Sequence, residues 1–257
     1  MKKTLIAFAV AAMAFAAVSC GEKKTDSSPE SGSPATTAEE SANELMKDML
    51  KKSYSDNADM TAQQTEKYDI PDGWKEIEVE SLKIYVPSAV EELSADPGTR
   101  RFGDKAEGLY LITSPAKEYD GGLALSALDP DTSEEKVSLA FSELGIEYNG
   151  TRLSFFKAAL SLTDSDKTSE NAEAYETALS AKENEFALDK EIYVTGSEGH
   201  PIYIEVRKDF GLKNRKPSVC ADFFIDEKTV QSVTVNAETL EEALRIAANL
   251  RLAQEQG

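Results

Sequence analysis

The chain has 257 residues, 47 of them acidic and 28 basic, for a formal net charge of −19. Such acidity argues against nucleic-acid binding, which needs a basic footprint, and against electrostatic attachment to anionic lipid. The length suits one folded domain plus a tail.

The first stretch reads Met-Lys-Lys, then an apolar run from Thr4 to Val18, then Ser19-Cys20. A basic start, a short apolar stretch and small residues before a cut site describe a secretory leader over residues 1–19. The run falls short of the roughly 20 apolar residues that a bilayer-spanning helix needs. Ala17-Val18-Ser19-Cys20 resembles the lipobox of bacterial lipoproteins, with Ala17 where that family prefers Leu. The resemblance implies a diacylglyceryl group on the Cys20 thiol, cleavage before Cys20 and acylation of the new amine. Each buried acyl methylene contributes about 0.8 kcal/mol, so two or three chains hold a protein stably without a spanning helix. Gly21 follows the cysteine, where an aspartate in some lipoproteins of this family signals inner-membrane retention. The resemblance therefore implies the outer membrane of the cell envelope. With Cys20 lipidated, Cys220 has no partner for an intramolecular disulfide. It lies in the apolar run Val219 to Ile225 and reads as a buried structural thiol.

From Gly21 to about Ser41 the chain is mostly Ser, Thr, Glu, Pro, Gly and Ala, with no apolar period. Residues 20–67 read as a flexible tether whose roughly 45 residues would span about 35–40 Å. Within it Ala42, Leu45, Met46, Met49 and Leu50 follow helical spacing. They predict a short amphipathic helix near 39–52, which would dock on the domain, pair with a partner, lie on lipid or simply fray.

The globular domain is expected over residues 68–253. Ile70-Pro71-Asp72-Gly73-Trp74 reads as a turn. Ile77 and Val79, then Ile84 and Val86, alternate with polar residues on either side of Ser81-Leu82, which predicts a hairpin. Ala89 to Ser94 reads as a helical turn closed by Asp96-Pro97-Gly98. Leu109 to Ser114 and Gly122 to Leu128 are strand candidates around the Tyr119–Gly122 turn. A helix capped by Thr132 and Glu135 carries Val137, Ala140, Phe141 and Leu144 on one face and stops at Gly145. Helices follow at Arg152 to Leu162 and Ser169 to Lys182. Strands then pair as Glu191–Thr195 with Pro201–Arg207, and Val219–Ile225 with Thr229–Val235. The closing helix takes Asn236 as N-cap, with Leu240, Ala243, Leu244, Ala247 and Leu250 inward. Strand pairs joined by short loops, with helices between and after them, predict an α+β fold with a mostly antiparallel sheet. There is no internal repeat. The strand-rich halves, the Gly73-Trp74 start and the closing helix are similar to PsbP/Mog1-like domains. That resemblance implies binding and assembly more often than catalysis.

Catalytic and cofactor patterns are sparse. The one histidine, His200, sits in a predicted loop and reads as a solvated turn residue. The sequence has no Gly-x-Ser-x-Gly, His-Glu-x-x-His, Walker or Gly-x-Gly-x-x-Gly motif. The acidic groups Asp129, Asp131, Glu134, Glu135 and Asp164, Asp166, Glu170 precede helices and read as caps rather than calcium loops. No catalytic residue, metal ligand or cofactor is nominated.

One pattern suggests a binding face. Tyr85, Tyr110, Tyr193 and Tyr203 each sit between two aliphatic residues on a predicted strand. Period two then turns all four away from the aliphatic face, either under helices or onto a recognition surface. These readings describe a lipid-anchored envelope protein held to the membrane by N-terminal acyl chains. Its domain would bind another envelope protein or a surface ligand without catalysis. The alternatives are a carboxylate-dependent hydrolase of envelope polysaccharide, marked by two carboxyls facing across a cleft, and a small-ligand carrier, marked by an enclosed apolar pocket.

Overall fold

A computed structural model describes residues 58–96, 98–104, 106, 108–123, 133–209 and 216–253. Cys20, the leader, the expected 39–52 helix, the part of the expected strand past residue 123, and Asp129, Asp131 and Thr132 lie outside the described residues.

The chain is α+β. Its strands are β1 (Ala62–Gln64), β2 (Trp74–Val79), β3 (Leu82–Pro87), β4 (Glu91–Asp96), β5 (Thr99–Asp104), β6 (Leu109–Thr113) and β7 (Lys117–Glu118). Helices α1 (Glu134–Glu143), α2 (Arg152–Ser161) and α3 (Ala172–Glu185) follow. Then come β8 (Asp189–Ser197), β9 (His200–Arg207), β10 (Ser218–Phe224), β11 (Thr229–Asn236), α4 (Leu240–Ala248) and β12 (Arg251–Leu252). The main sheet runs β1-β8-β9-β10-β11-β6-β5-β4, with β7 also pairing β11, and is antiparallel except for the β1–β8 pair. A second sheet, β12-β3-β2, contains the predicted hairpin, with Ile77 opposite Ile84 and Val79 opposite Leu82.

Both faces of the main sheet are covered. On one, Ile202, Ile204, Val219, Ala221, Val233 and Val235 join Val79, Leu82, Ile84 and Val86 of the small sheet and Ala243, Ile246 and Ala247 of α4. Gln231 is fully buried on this side. It accepts from the Ser81 amide (3.1 Å) and donates to the Val79 carbonyl (3.2 Å), so the β2–β3 turn is joined to the main sheet without an orphaned backbone group. On the other face, α1–α3 bury Phe141, Phe155, Phe156, Tyr175 and Phe186 against Ile192, Tyr203 and Phe224. Phe156 lies edge-on to Phe186, Tyr203 and Phe224 at 5.1–5.3 Å between centroids, the arrangement that ring quadrupoles favour.

Four local expectations are corrected. Ala89–Ser94 is not a helical turn: β4 and β5 form an edge hairpin that carries the Arg100–Glu92 and Arg101–Asp96 ion pairs, with Gly98 at φ +81° at its apex. Ser133 caps α1, its side chain accepting from the Lys136 amide. Thr239 caps α4, because Asn236 is still paired to Tyr110 at the end of β11. The packed region also begins before Tyr68. Ala62–Gln64 pairs with Ile192–Val194, and the buried Lys182 ammonium donates to the carbonyls of Ala58 (2.8 Å) and Leu162 (2.6 Å). Ala-Gln-Gln has no apolar alternation, so nothing in its pattern marks it as a strand.

Candidate functional site

The four tyrosines do not share a face. Tyr85 belongs to the small sheet, where the Arg251 guanidinium lies 5.2 Å from its ring. In the main sheet Tyr193 is opposite Ile204, and Val194 is opposite Tyr203. Cross-strand partners point the same way, so Tyr193 and Tyr203 point to opposite sides. Tyr203 is buried in the aromatic cluster under the helices, whereas Tyr193 packs partly on the aliphatic side and donates to Glu191 (2.9 Å). Tyr110 is half-buried beside Gly103 on β5. The expected face fails because the sheet is buried on both sides. Ile192 and Val194 pack under the helices, while Ile202 and Ile204 pack on the opposite side, so the aliphatic residues do not define one common core face.

His200 is likewise not a solvated turn residue. It opens β9, its Nδ1 is 3.2 Å from the Phe224 carbonyl, and its ring stacks on Phe223 at 5.6 Å. Of the acids read as helix caps, Asp166 makes a capping bond, whereas Asp164 and Glu134 hold other segments instead. Asp166 accepts from the Thr163 amide (2.8 Å), Asp164 from the Tyr175 hydroxyl (2.7 Å), and Glu134 from the Leu123 amide (3.2 Å) and the Tyr148 hydroxyl. Cys220 is a buried thiol, pushed well up by burial and by nearby Asp222.

The helix-covered face holds a charge cluster. Arg207 reaches Asp189 (2.6 Å) and Glu205 (2.9 Å), joining the start of β8 to the end of β9. Asp222 on β10 accepts from the Ser232 hydroxyl (2.6 Å). From the helices, Arg152 meets Glu185 with both terminal nitrogens (2.8 and 2.5 Å) and also donates to the Gly122 carbonyl (2.9 Å). Four carboxyls thus face two guanidiniums. Burial raises the Asp189 carboxyl to about 6 against an ordinary 3.8, with Arg207 pulling part of that back. Burial, then the neighbouring Asp189, lifts Glu205 well above the usual carboxylate range, and burial also raises Asp222. Arg152 Nε and Asp189 Oδ2 are buried with no hydrogen-bond partner among the described residues. Among those residues, no group of three or more His, Cys, Asp and Glu side chains is placed to hold a metal ion.

Beside this cluster opens a cleft of about 580 Å³, lined by the segment Ser114–Tyr119 and by Val230 and Ser232 of β11. Local pairing shapes it. Ser114 donates to the Ser232 carbonyl, Lys117 pairs with Val230, and the Tyr119 amide donates to the Lys228 carbonyl. Ser114–Ala116 lies between the paired positions of β6 and β7. Tyr119 connects cleft and cluster: Lys117 Nζ is 4.3 Å and the Arg152 guanidinium 5.1 Å from its ring centre. Ser232 does so as well, lining the cleft while bonded to Asp222. Sequence reading found none of this. In the sequence Tyr119 reads only as turn chemistry, and Asp222 sits inside an apolar run. That acidic residue between Ala221 and Phe223 was the one available signal of a buried polar site.

No family model and no curated protein matches the chain. Among solved structures the chain is similar to one from Bacteroides thetaiotaomicron VPI-5482 at 1.50 Å resolution, with TM-score 0.32 and 8% identity. The match covers 72% of this chain and 50% of that one, so the chain spans half the length of its structural neighbour.

Proposed function

We propose that the protein is a bacterial envelope lipoprotein, anchored through acyl chains on Cys20, whose domain binds a ligand or partner and does not catalyse a reaction. The leader ending in Ala-Val-Ser-Cys carries the anchoring half of this reading. The cleft beside Tyr119 replaces the tyrosine face as the binding surface. Its volume lies within the range of small-ligand sites, and it combines an aromatic ring with hydroxyl and charged groups. The disposition of the carboxyls supports binding over hydrolysis. Asp189 and Glu205 share Arg207 rather than facing each other across the cleft. Metabolic labelling with a clickable fatty acid tests the anchor. Wild type should take up label and Cys20→Ala should not; equal label in both contradicts the proposal.

A further inference from the structure

The Lys117 ammonium forms no ion pair with a carboxylate among the described residues, although the chain is strongly acidic. It rests over the Tyr119 ring at 4.3 Å instead. The ring also has Arg152 near it, but that guanidinium is held by Glu185 and the Gly122 carbonyl, so its charge is matched locally. Behind the cleft wall, the Ser232 hydroxyl donates to the buried Asp222. An aromatic face attracts a cation, and the acidic chain concentrates cations at its surface. Lys117 is exposed and on a flexible stem, so it can swing away.

We propose that the cleft binds a small organic ammonium compound, whose cation takes the place of Lys117 Nζ on the Tyr119 ring. The inference rests on the reading of this domain as a binding module and names the ligand chemistry. Tyr119 supplies the face, the net acidity of the chain favours a cation, and Lys117 occupies the site until a ligand displaces it. The chemistry is reversible binding alone, with no bond made or broken.

Calorimetric titration of the full chain carrying Cys20→Ala, with choline as probe and inorganic phosphate as the anionic control, tests it independently of anchoring. Choline should bind saturably and phosphate should not. Lys117→Gln should tighten choline binding, because the resident competitor is gone. Tyr119→Leu should weaken it by roughly five- to thirtyfold, the loss expected for one partly desolvated cation–π contact. Tyr119→Phe, which keeps the ring, should bind nearly as wild type, and matching melting curves should show that all variants fold. Phosphate binding without choline binding would overturn the ammonium assignment and leave a binding module standing. Absence of both, in wild type and in Lys117→Gln, would overturn the cleft as the binding site as well. Choline binding that is unchanged in Tyr119→Leu would overturn the ring's role.

Discussion

The two faces of the main sheet are held in different ways. The side under the small sheet and α4 is almost wholly aliphatic, and its buried Gln231 is satisfied at both ends by the β2–β3 turn. The side under α1–α3 mixes a ring cluster with Asp189, Glu205, Arg207, Asp222, Arg152 and Glu185. Aliphatic packing is non-directional and tolerates volume-conserving change. A buried charge network is less tolerant, because removal of one member strands another. The aliphatic face therefore supports the fold at every pH, whereas the charged face makes stability depend on protonation. The cleft opens beside the charged face, where Tyr119 and Ser232 join it to the cluster.

Four changes would sharpen or break this contrast. The largest effect should come from Arg207→Leu, which leaves the Asp189 and Glu205 carboxyls buried without their cation. A loss of about 3–5 kcal/mol is expected by urea denaturation at pH 7, larger than for a single methylene removed from the aliphatic side, such as Ile204→Val at about 0.5–1.5 kcal/mol. Equal losses would erase the distinction. Gln231→Leu comes next. It orphans the Ser81 amide and the Val79 carbonyl and should cost about 1–3 kcal/mol. A smaller loss than for Ile204→Val would mean that water satisfies those groups.

The third concerns pH. Asp189 has a higher carboxyl pKa in the folded chain, about 6, than its ordinary 3.8, so the folded state binds the proton more tightly. Its contribution to stability is fully present below about 4 and is lost as pH rises through about 6. The raised Glu205 and Asp222 carboxyls act in the same sense. Urea midpoints measured from pH 4 to pH 7 should show a component that falls with pH, diminished in Asp189→Asn and retained in Ile204→Val. The same slope in both variants would contradict a role for the charged face.

The fourth, and smallest, is removal of residues before Tyr68. It deletes β1 and the Ala58 acceptor of Lys182, a buried amine that burial lowers to about 8. A melting temperature lower by several degrees is expected, since each kcal/mol shifts a domain of this size by about 2–4 °C. An unchanged melting temperature would show that β1 adds nothing to the packed region.

Much of the fold was legible. The Ile77–Ile84 hairpin, the β8–β9 and β10–β11 pairs and the inward face of α4 all follow from period two or period 3.6. Elements with little apolar pattern were not. Ala62–Gln64 gains its place from backbone pairing with β8, and Thr99–Asp104 from its ion-paired edge hairpin. The site was hidden for a different reason. Glu205, Arg207 and Asp222 occupy alternate strand positions that look solvent-facing in sequence, yet Glu205 and Asp222 are buried and Arg207 is only partly exposed, on the same side of the sheet as Tyr203 and the helices. The shared tyrosine face failed on the same point, since alternation cannot say which side of a doubly covered sheet is which.

The proposed attachment to the membrane is through acyl chains on Cys20, not through either sheet face. Salt resistance of membrane association tests that most directly. Wild-type protein should sediment with the envelope after a wash at about 1 M salt, where the Debye length is only about 3 Å. Cys20→Ala should be found in the soluble fraction. Wild type released by salt, or Cys20→Ala retained on the membrane, would contradict lipid anchoring at Cys20.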